Sequence, residues 1–336
     1  MADDSSPLRR VLLTGATGFL GSAIARALHD VGHEVRALAR PSTPRTLLEG
    51  VPAAFAAGDL TDADSVGRAV RGCDAVIHCA ADYRIWVPDP DAMRAVNVEG
   101  TRAVMRAALA EGCRRVVHVS SVATLKPRSD GLPATEADAA APDEAIGPYK
   151  RSKTEAERLV EGMTAQDGLP AVIVNPSTPV GPRDIRPTPT GRVILEAARG
   201  KMPGYVDTGL NIVHVDDVAR SCVAALSRGA LGERHILGGY DVPLGELLAH
   251  IAKLHGRPPP KLLPRGPLWP AAVASELWAM ATGREPMLTR DGLRMSNEHM
   301  YFSWAKAERV LGHRARPWQD AVGDALAWYR ARGRLA

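Results

Sequence analysis

Tyr149 and Lys153 lie four residues apart in Tyr149-Lys150-Arg151-Ser152-Lys153. In a helix that spacing puts both side chains on one face, with an ammonium next to a phenol. A free tyrosine titrates near ~10, so accepting a proton near neutrality requires a shift of about three units, roughly 4 kcal/mol. A neighbouring lysine acts in that direction by favouring phenolate, as would any further positive charge beside the ring. The chemistry also needs a hydroxyl to hold a substrate oxygen. Ser120-Ser121-Val122-Ala123-Thr124 supplies one directly after the apolar run 115–119, at the carboxyl edge of a buried strand, where open α/β sheets bind ligands. Ser121 is the candidate and Thr124 the alternative. Alone, a tyrosine–lysine pair at this spacing describes any solvated helix face. Its place after a strand that ends in two serines is what makes it a candidate acid–base pair.

A second constellation, Thr14-Gly15-Ala16-Thr17-Gly18-Phe19-Leu20-Gly21, follows the apolar run Val11-Leu12-Leu13. Gly15, Gly18 and Gly21 serve a tight strand-to-helix turn, close backbone approach to a pyrophosphate, and close packing of the helix on the sheet. Thr17, Phe19 and Leu20 complete this candidate dinucleotide cradle. Cofactor choice is read at the end of the second strand. Enzymes that bind NAD place a carboxylate there for the ribose hydroxyl, whereas this chain has Arg40-Pro41-Ser42-Thr43. A guanidinium binds a 2′-phosphate that a carboxylate would repel. NADP(H) is therefore the expected cofactor and NAD(H) the alternative, with Arg36 and Arg40 as exposed strand-end charges in the competing reading.

The elements that must position these groups form an α/β pattern. Short apolar runs at 11–14, 35–39, 54–57, 75–78, 115–119 and 171–175 alternate with helical segments, notably 19–30, 93–111 and 149–168. This predicts a Rossmann-type doubly wound parallel sheet covered on both faces. Pro176, Pro179, Pro182, Pro187 and Pro189 then interrupt regular structure. A strand at 212–215 is expected to return to the sheet, with Asp216 capping a helix at 218–227. Residues 8–178 and 211–238 thus form the dinucleotide-binding domain, and 179–210 and 239–332 a smaller, mainly helical substrate domain. Five of the six tryptophans fall in this last part, where they are expected as core. Segment 267–282, with Leu268, Trp269, Ala272, Val273, Leu277 and Trp278 around Glu276, predicts an apolar helix near the substrate entrance. Packing inside the small domain is its ordinary fate, and weak contact with a membrane surface the alternative.

The balance of 42 basic and 38 acidic residues, without a long basic run, gives no support for a nucleic-acid partner. Cys73, Cys79, Cys113 and Cys222 are scattered and lack metal-ligand spacing, so they read as reduced thiols and no metal is expected. The acidic, polar start Met1 to Ser6 does not read as a secretory signal, and no apolar run suffices to span a bilayer. A cytoplasmic protein, peripheral at most to the inner membrane, is expected.

With these motifs in place, nearly the whole chain resembles the extended short-chain dehydrogenase/reductases, of the NAD-dependent epimerase/dehydratase type. Further matching strings are Gly58-Asp59-Leu60, His78-Cys79-Ala80-Ala81, Asn97-Val98-Glu99-Gly100-Thr101 and His214-Val215-Asp216-Asp217-Val218-Ala219. The resemblance implies that Ser121 holds the substrate oxygen, Tyr149 passes the proton, and Lys153 binds the nicotinamide ribose and tunes Tyr149. It implies Asp59 and Leu60 at the adenine, Ala80 and Ala81 along the pyrophosphate and ribose, and Asn175, Pro176 and Ser177 near the nicotinamide amide. Longer strings, Ala81-Asp82-Tyr83-Arg84-Ile85-Trp86, Val174 to Asp184 and Tyr205 to Asn211, are similar to bacterial hopanoid-associated sugar epimerases. That likeness implies a polyol- or sugar-bearing lipid substrate contacted by Tyr83, Trp86, Arg183, Tyr205, Asp207 and Asn211. Arg40 resembles the NADPH-using dihydroflavonol reductases and implies net reduction, whereas the epimerase likeness implies a retained hydride. Relatives also imply a homodimer through the helices at 93–111 and 149–168. A dinucleotide-sensing regulator is the alternative of another class, and the tyrosine–lysine pair argues against it.

Overall fold

The computed structural model describes residues 8–283, 286 and 288–335, so the start Met1 to Ser6 lies outside the described residues. The first half contains β1 (Arg10–Thr14), α1 (Phe19–Asp30), β2 (Glu34–Ala39), β3 (Ala53–Ala57), α2 (Ala63–Val70), β4 (Ala75–His78), α3 (Pro90–Arg94), α4 (Gly100–Ala110), β5 (Arg115–Val119), α5 (Gly147–Asp167) and β6 (Ala171–Pro176). The second contains β7 (Thr178–Val180), α6 (Pro189–Ala198), β8 (Gly204–Tyr205), β9 (Gly209–His214), α7 (Val215–Ala224), β10 (Arg234–Leu237), β11 (Tyr240–Pro243) and α8 (Leu244–Leu254). It ends with β12 (Lys261–Leu262), α9 (Leu268–Thr282), α10 (Arg290–Met295), β13 (His299–Met300), α11 (Ala305–Leu311) and α12 (Trp318–Ala331).

Among the described residues, seven parallel strands form one sheet in the order β10-β6-β5-β4-β1-β2-β3. Alternation along β1 divides the core. Val11 and Leu13 face α1 and α7 through Ile24, Leu28, Val218 and Cys222. Leu12 faces the opposite layer with Val76, Val104, Met105, Val160 and Ile173. The strand order reverses between β1 and β4, and a doubly wound sheet opens its ligand crevice at that point. The six expected strands of the first half all form, each within one residue of its expected bounds.

Three expectations change. The strand expected at 212–215 does not join the main sheet. β9 instead pairs with β7, β11 and β13, and β10 takes the edge beside β6. Ile212 and Val242 close a separate apolar core with Trp318, Val322 and Leu326, which holds β9 away. Asp216 does not cap the following helix. The buried His214 already does so, its Nδ1 accepting the Asp216 N–H at 3.0 Å, and α7 starts at Val215. Segment 267–282 is helical as α9, but Trp269 and Trp278 are exposed rather than packed, while Trp318 belongs to the core.

The glycine turn depends on backbone contact. Gly15 has φ +74°, and a Cβ there would lie 2.8 Å from the Ala80 nitrogen beyond β4. A Cβ on Gly21 would land on the carbonyl oxygen of Gly15, which is backbone and cannot yield like a side chain. Gly21→Ala is therefore expected to destabilise the fold by about 1–3 kcal/mol and to abolish dinucleotide binding. Thermal unfolding and calorimetric titration measure the two effects, and a variant that binds like wild type would contradict the packing account.

Candidate active site

Gly18 stands at the N-cap of α1, where no side chain caps the helix and no acidic residue occupies the first turn. The first-turn N–H groups and the positive helix end are therefore free to meet an anion. Gly15, Thr17, Gly18, Phe19, Leu20 and Gly21 form this turn at the crevice, with Ala80 and Ala81 on the opposite side after β4. These residues fit the pyrophosphate of a dinucleotide. Farther along the crevice, the Asp59 carboxylate accepts from the Thr61 N–H at 3.0 Å and hydroxyl at 2.8 Å, which holds its pKa below the usual range. Leu60 packs on Gly100. Pro176 ends β6, and the Ser177 N–H donates to the Leu237 carbonyl at 3.2 Å.

Ser121 and Tyr149 meet. Ser121 caps the 3-10 turn Val122–Thr124, its Oγ accepting the Ala123 N–H at 3.1 Å, and the same side chain lies close enough to the Tyr149 phenol to lower its pKa. Lys153, one helical turn along α5, is buried and donates to the Val119 carbonyl at 3.0 Å. Burial pulls its ammonium down to about 8, opposed by Glu157 among others. The phenol departs from the sequence expectation. Burial holds Tyr149 above the ordinary tyrosine range against the smaller effect of Ser121. The protein by itself thus presents a neutral phenol, which is a proton donor.

A relay of side chains joins the glycine turn to Tyr149. The Thr14 Oγ1 lies 2.8 Å from His78 Nδ1, and His78 Nε2 lies 2.9 Å from Thr101 Oγ1. The Thr101 hydroxyl donates to the Asn97 carbonyl at 2.6 Å. Asn97 Nδ2 donates to Ser152 Oγ at 3.0 Å, and Ser152 donates to the Tyr149 carbonyl at 3.0 Å. With the Thr101 proton committed, Nε2 of His78 must be the donor and Nδ1 the acceptor. Burial drives His78 down to about 3, so the imidazole is neutral, as this relay requires. Asn97 lies in a π turn, Ala95–Glu99, that divides the single helix expected at 93–111. The sequence contained these residues as motif strings but gave them no role.

The expected substrate contacts are not gathered in one place. Trp86 lines a cavity of about 310 Å³ with Ile85, Val87 and Pro148 on one side and Glu276, Arg290, Asp291 and Arg294 on the other. Tyr83 is exposed on the same loop. Thr124 is fully buried, donates to the Ser121 carbonyl and to Glu157, and so does not serve as an alternative substrate hydroxyl. Asn211 is also fully buried, spending its amide on the Gly239 and Phe302 carbonyls, Asp241 and the Gly239 N–H. A polar side chain in the middle of a buried strand cannot leave its backbone partners unpaired without cost, which the sequence pattern alone does not reveal. Arg183 has φ +78° and is ion-paired with Asp216. Tyr205 leans on Gly245 at the start of α8, and Asp207 stands exposed 3.7 Å from His299. Neither lines the cavity beside Trp86.

A model of the "NAD dependent epimerase/dehydratase family" matches residues 11–238, spanning the glycine turn, Ser121, Tyr149 and Lys153. The chain belongs to this family. It is 40% identical over 96% of its length to a dihydroflavonol 4-reductase-like protein of Synechocystis sp., 94% of which is covered. It is 34% identical, again over 96% of its length, to "Sterol demethylase protein B" of Methylococcus capsulatus, 99% of which is covered. The crystal structure of gox2253 superposes with a TM-score of 0.87 at 50% identity, covering 97% of this chain and 99% of that one. As a member of the epimerase/dehydratase family, the protein is an NAD(P)-dependent oxidoreductase or epimerase.

Behind Tyr149 and Lys153 lies a buried carboxylate. Glu157 follows Lys153 by four residues and is fully buried. It accepts from Thr124 at 2.9 Å and Asn175 at 2.7 Å and pairs with Arg234 at 3.0 Å. Asn175 also donates to the Ser121 carbonyl at 3.1 Å, so the network fixes the turn that presents Ser121. The repeated four-residue spacing of Tyr149, Lys153 and Glu157 was a signal for this role. Removing one partner of a buried pair costs about 3–5 kcal/mol, and that loss is expected for Glu157→Ala in urea denaturation. Glu157→Gln, which keeps an acceptor, is expected to cost less. An Ala variant within about 1 kcal/mol of wild type would refute the network's structural role.

Proposed function

We propose that the protein is an NADP(H)-dependent reductase of a ketone to a secondary alcohol, carried on an amphipathic lipid such as a polyol-bearing polycyclic molecule. The observation that carries this reading is the convergence of the neutral Tyr149 phenol and the Ser121 side chain, with Lys153 buried on the same helix face as Tyr149. In this reading the cofactor's nicotinamide supplies hydride to the carbonyl carbon when bound. Ser121 donates a hydrogen bond to the substrate oxygen, orienting the carbonyl. Tyr149 then gives its proton to that oxygen as negative charge develops, and the Lys153 ammonium stabilises the phenolate left behind. Reduction uses the protonation state that the protein already favours. Oxidation, the first half of an epimerisation, requires the phenol to lose its proton first.

The apolar wall of Ile85, Trp86, Val87 and Pro148 supports a substrate with a large hydrocarbon part. The names of the two relatives, one reductase-like and one of sterol demethylation, accord with reduction and with a polycyclic lipid. The likeness to hopanoid-associated enzymes favours the same substrate class. For the cofactor, Arg36 is already spent on the Ala69 and Arg71 carbonyls. Arg40 remains 67% exposed, with only a 3.9 Å approach to Asp59. An exposed pair of that kind is worth about 0–1 kcal/mol, so the guanidinium is available to a 2′-phosphate.

Tyr149→Phe is expected to lower turnover by at least about 100-fold while leaving dinucleotide affinity unchanged, because it removes a hydroxyl from the reacting end alone. NADPH oxidation with a polycyclic lipid ketone, followed by analysis of the alcohol, tests both the activity and its direction. Stoichiometric NADPH consumption with a single alcohol stereoisomer is the expected result. Turnover with catalytic cofactor, retained substrate deuterium and no net absorbance change would establish epimerisation instead.

Calorimetry with the two dinucleotides tests the cofactor. Wild type is expected to prefer NADP(H), and Arg40→Asp to move the affinity ratio towards NAD(H) by at least about tenfold. Equal affinities in wild type would return Arg40 to a solvated surface charge.

A further inference from the structure

Helix α9 reverses the usual arrangement of a surface helix. Its inward stripe is Ala272, Glu276 and Ala279, two small residues and a carboxylate. Glu276 is also the only charged residue between 268 and 282. It is held inside by Arg290, whose backbone N–H and Nε each donate to it at 2.7 Å. The large apolar side chains point out. Trp269 is 41% exposed, Leu277 61%, Trp278 66% and Met280 71%. Scattered apolar residues are ordinary on a protein surface, but a contiguous group on one uncharged helix face marks a contact surface.

Its surroundings say what that contact is. Arg294 lies over the Trp269 ring, 5.6 Å from its centre, and Arg290 and Arg294 are both more than half exposed. Together with Lys261 and Arg265, the described residues from 261 to 294 carry four cations against two carboxylates, Glu276 and Asp291, which pair with Arg290 and Arg294. Leu262, next to Lys261, is also 59% exposed. An uncharged face rich in tryptophan, with arginine at the tryptophan edge, matches the boundary between hydrocarbon and anionic headgroups. The inward side of the same helix borders the reaction region. Glu276, Arg290 and Arg294 form one wall of the cavity whose other wall contains Trp86 and Pro148, the residue preceding Tyr149.

We infer that α9 is a peripheral docking element that seats the protein on the surface of an anionic phospholipid bilayer, with Leu277, Trp278 and Met280 in the interface and Arg290 and Arg294 at the headgroups. The cavity beside Trp86 lies on the inward side of the docked helix. The inference goes beyond the proposed reaction and does not require it, since docking can be measured without substrate or cofactor.

The test is flotation of the purified full chain with vesicles of phosphatidylcholine and phosphatidylglycerol, compared with phosphatidylcholine alone, at low salt. Wild type is expected to float with the anionic vesicles and to show a blue shift of tryptophan emission. It is expected to dissociate as salt is raised, because screening removes the charge attraction. Leu277→Asp with Trp278→Asp is expected to lower the bound fraction by about tenfold or more. Should that pair unfold, the single change Met280→Asp reads the same loss at the most exposed of the four positions. A wild type that stays free of anionic vesicles would overturn the inference, as would folded variants that float equally well. A lipid-free dimer that the substitutions convert to monomer, seen by sedimentation, would assign the face to a second copy of the chain.

Discussion

The arrangement of the site depends on the side chain of Thr14 at the end of β1. Its oxygen receives the N–H groups of Cys79 and Ala80 at 3.2 and 3.1 Å, and its own proton goes to His78. This clamps the carboxyl ends of β1 and β4 where the strand order reverses. Gly15 must have no Cβ because the clamp brings Ala80 against it. From His78 the hydrogen bonds pass through Thr101, Asn97 and Ser152 to the backbone of Tyr149. The glycine turn and the backbone of Tyr149 are therefore registered to each other by directed bonds, in which each donor has one place to go. Buried networks of this kind specify a geometry when fully satisfied and are costly when broken.

Burial then sets the chemical state of the groups so positioned. Lys153 is buried and Tyr149 half-buried, and loss of water disfavours the charged form of each. For the lysine, a pKa of about 8 still leaves an ammonium at neutral pH. For the tyrosine the same effect keeps the proton on. The pair is thus a neutral phenol near a cation, and added positive charge nearby would favour the phenolate. Glu157 lies behind them and directs its carboxylate to Thr124, Asn175 and Arg234, which orders the Ser121 turn.

The second sheet and α9 give the remaining surface a different character. β7 leaves β6 after a single intervening residue, Ser177, and starts a sheet whose core of Ile212, Val242, Trp318 and Leu326 is independent of the dinucleotide crevice. The small region beyond it uses Glu276 and Arg290 as an internal tie, which frees the apolar side chains of α9 for contact elsewhere.

The sequence by itself determined the parallel sheet and the glycine turn, and it singled out Ser121, Tyr149 and Lys153 as one candidate site. These signals are local: strand burial on two faces, a turn that admits only glycine, and a helical repeat of four are each written in neighbouring residues. It also carried the end of β2, where Arg40 replaces an acidic residue. What only the tertiary structure decided depends on partners distant in the chain. Thr124 and Asn211 looked like ligand groups until Glu157 and Gly239 were seen to occupy them, and 212–215 looked like a main-sheet strand until β7 and β11 took its edges. The direction of the Tyr149 shift was decided in the same way, because desolvation depends on everything packed around the phenol and not on Lys153 alone. For α9 the composition predicted an apolar helix, but which side faced inward followed from the pairing of Glu276 with Arg290, fourteen residues later.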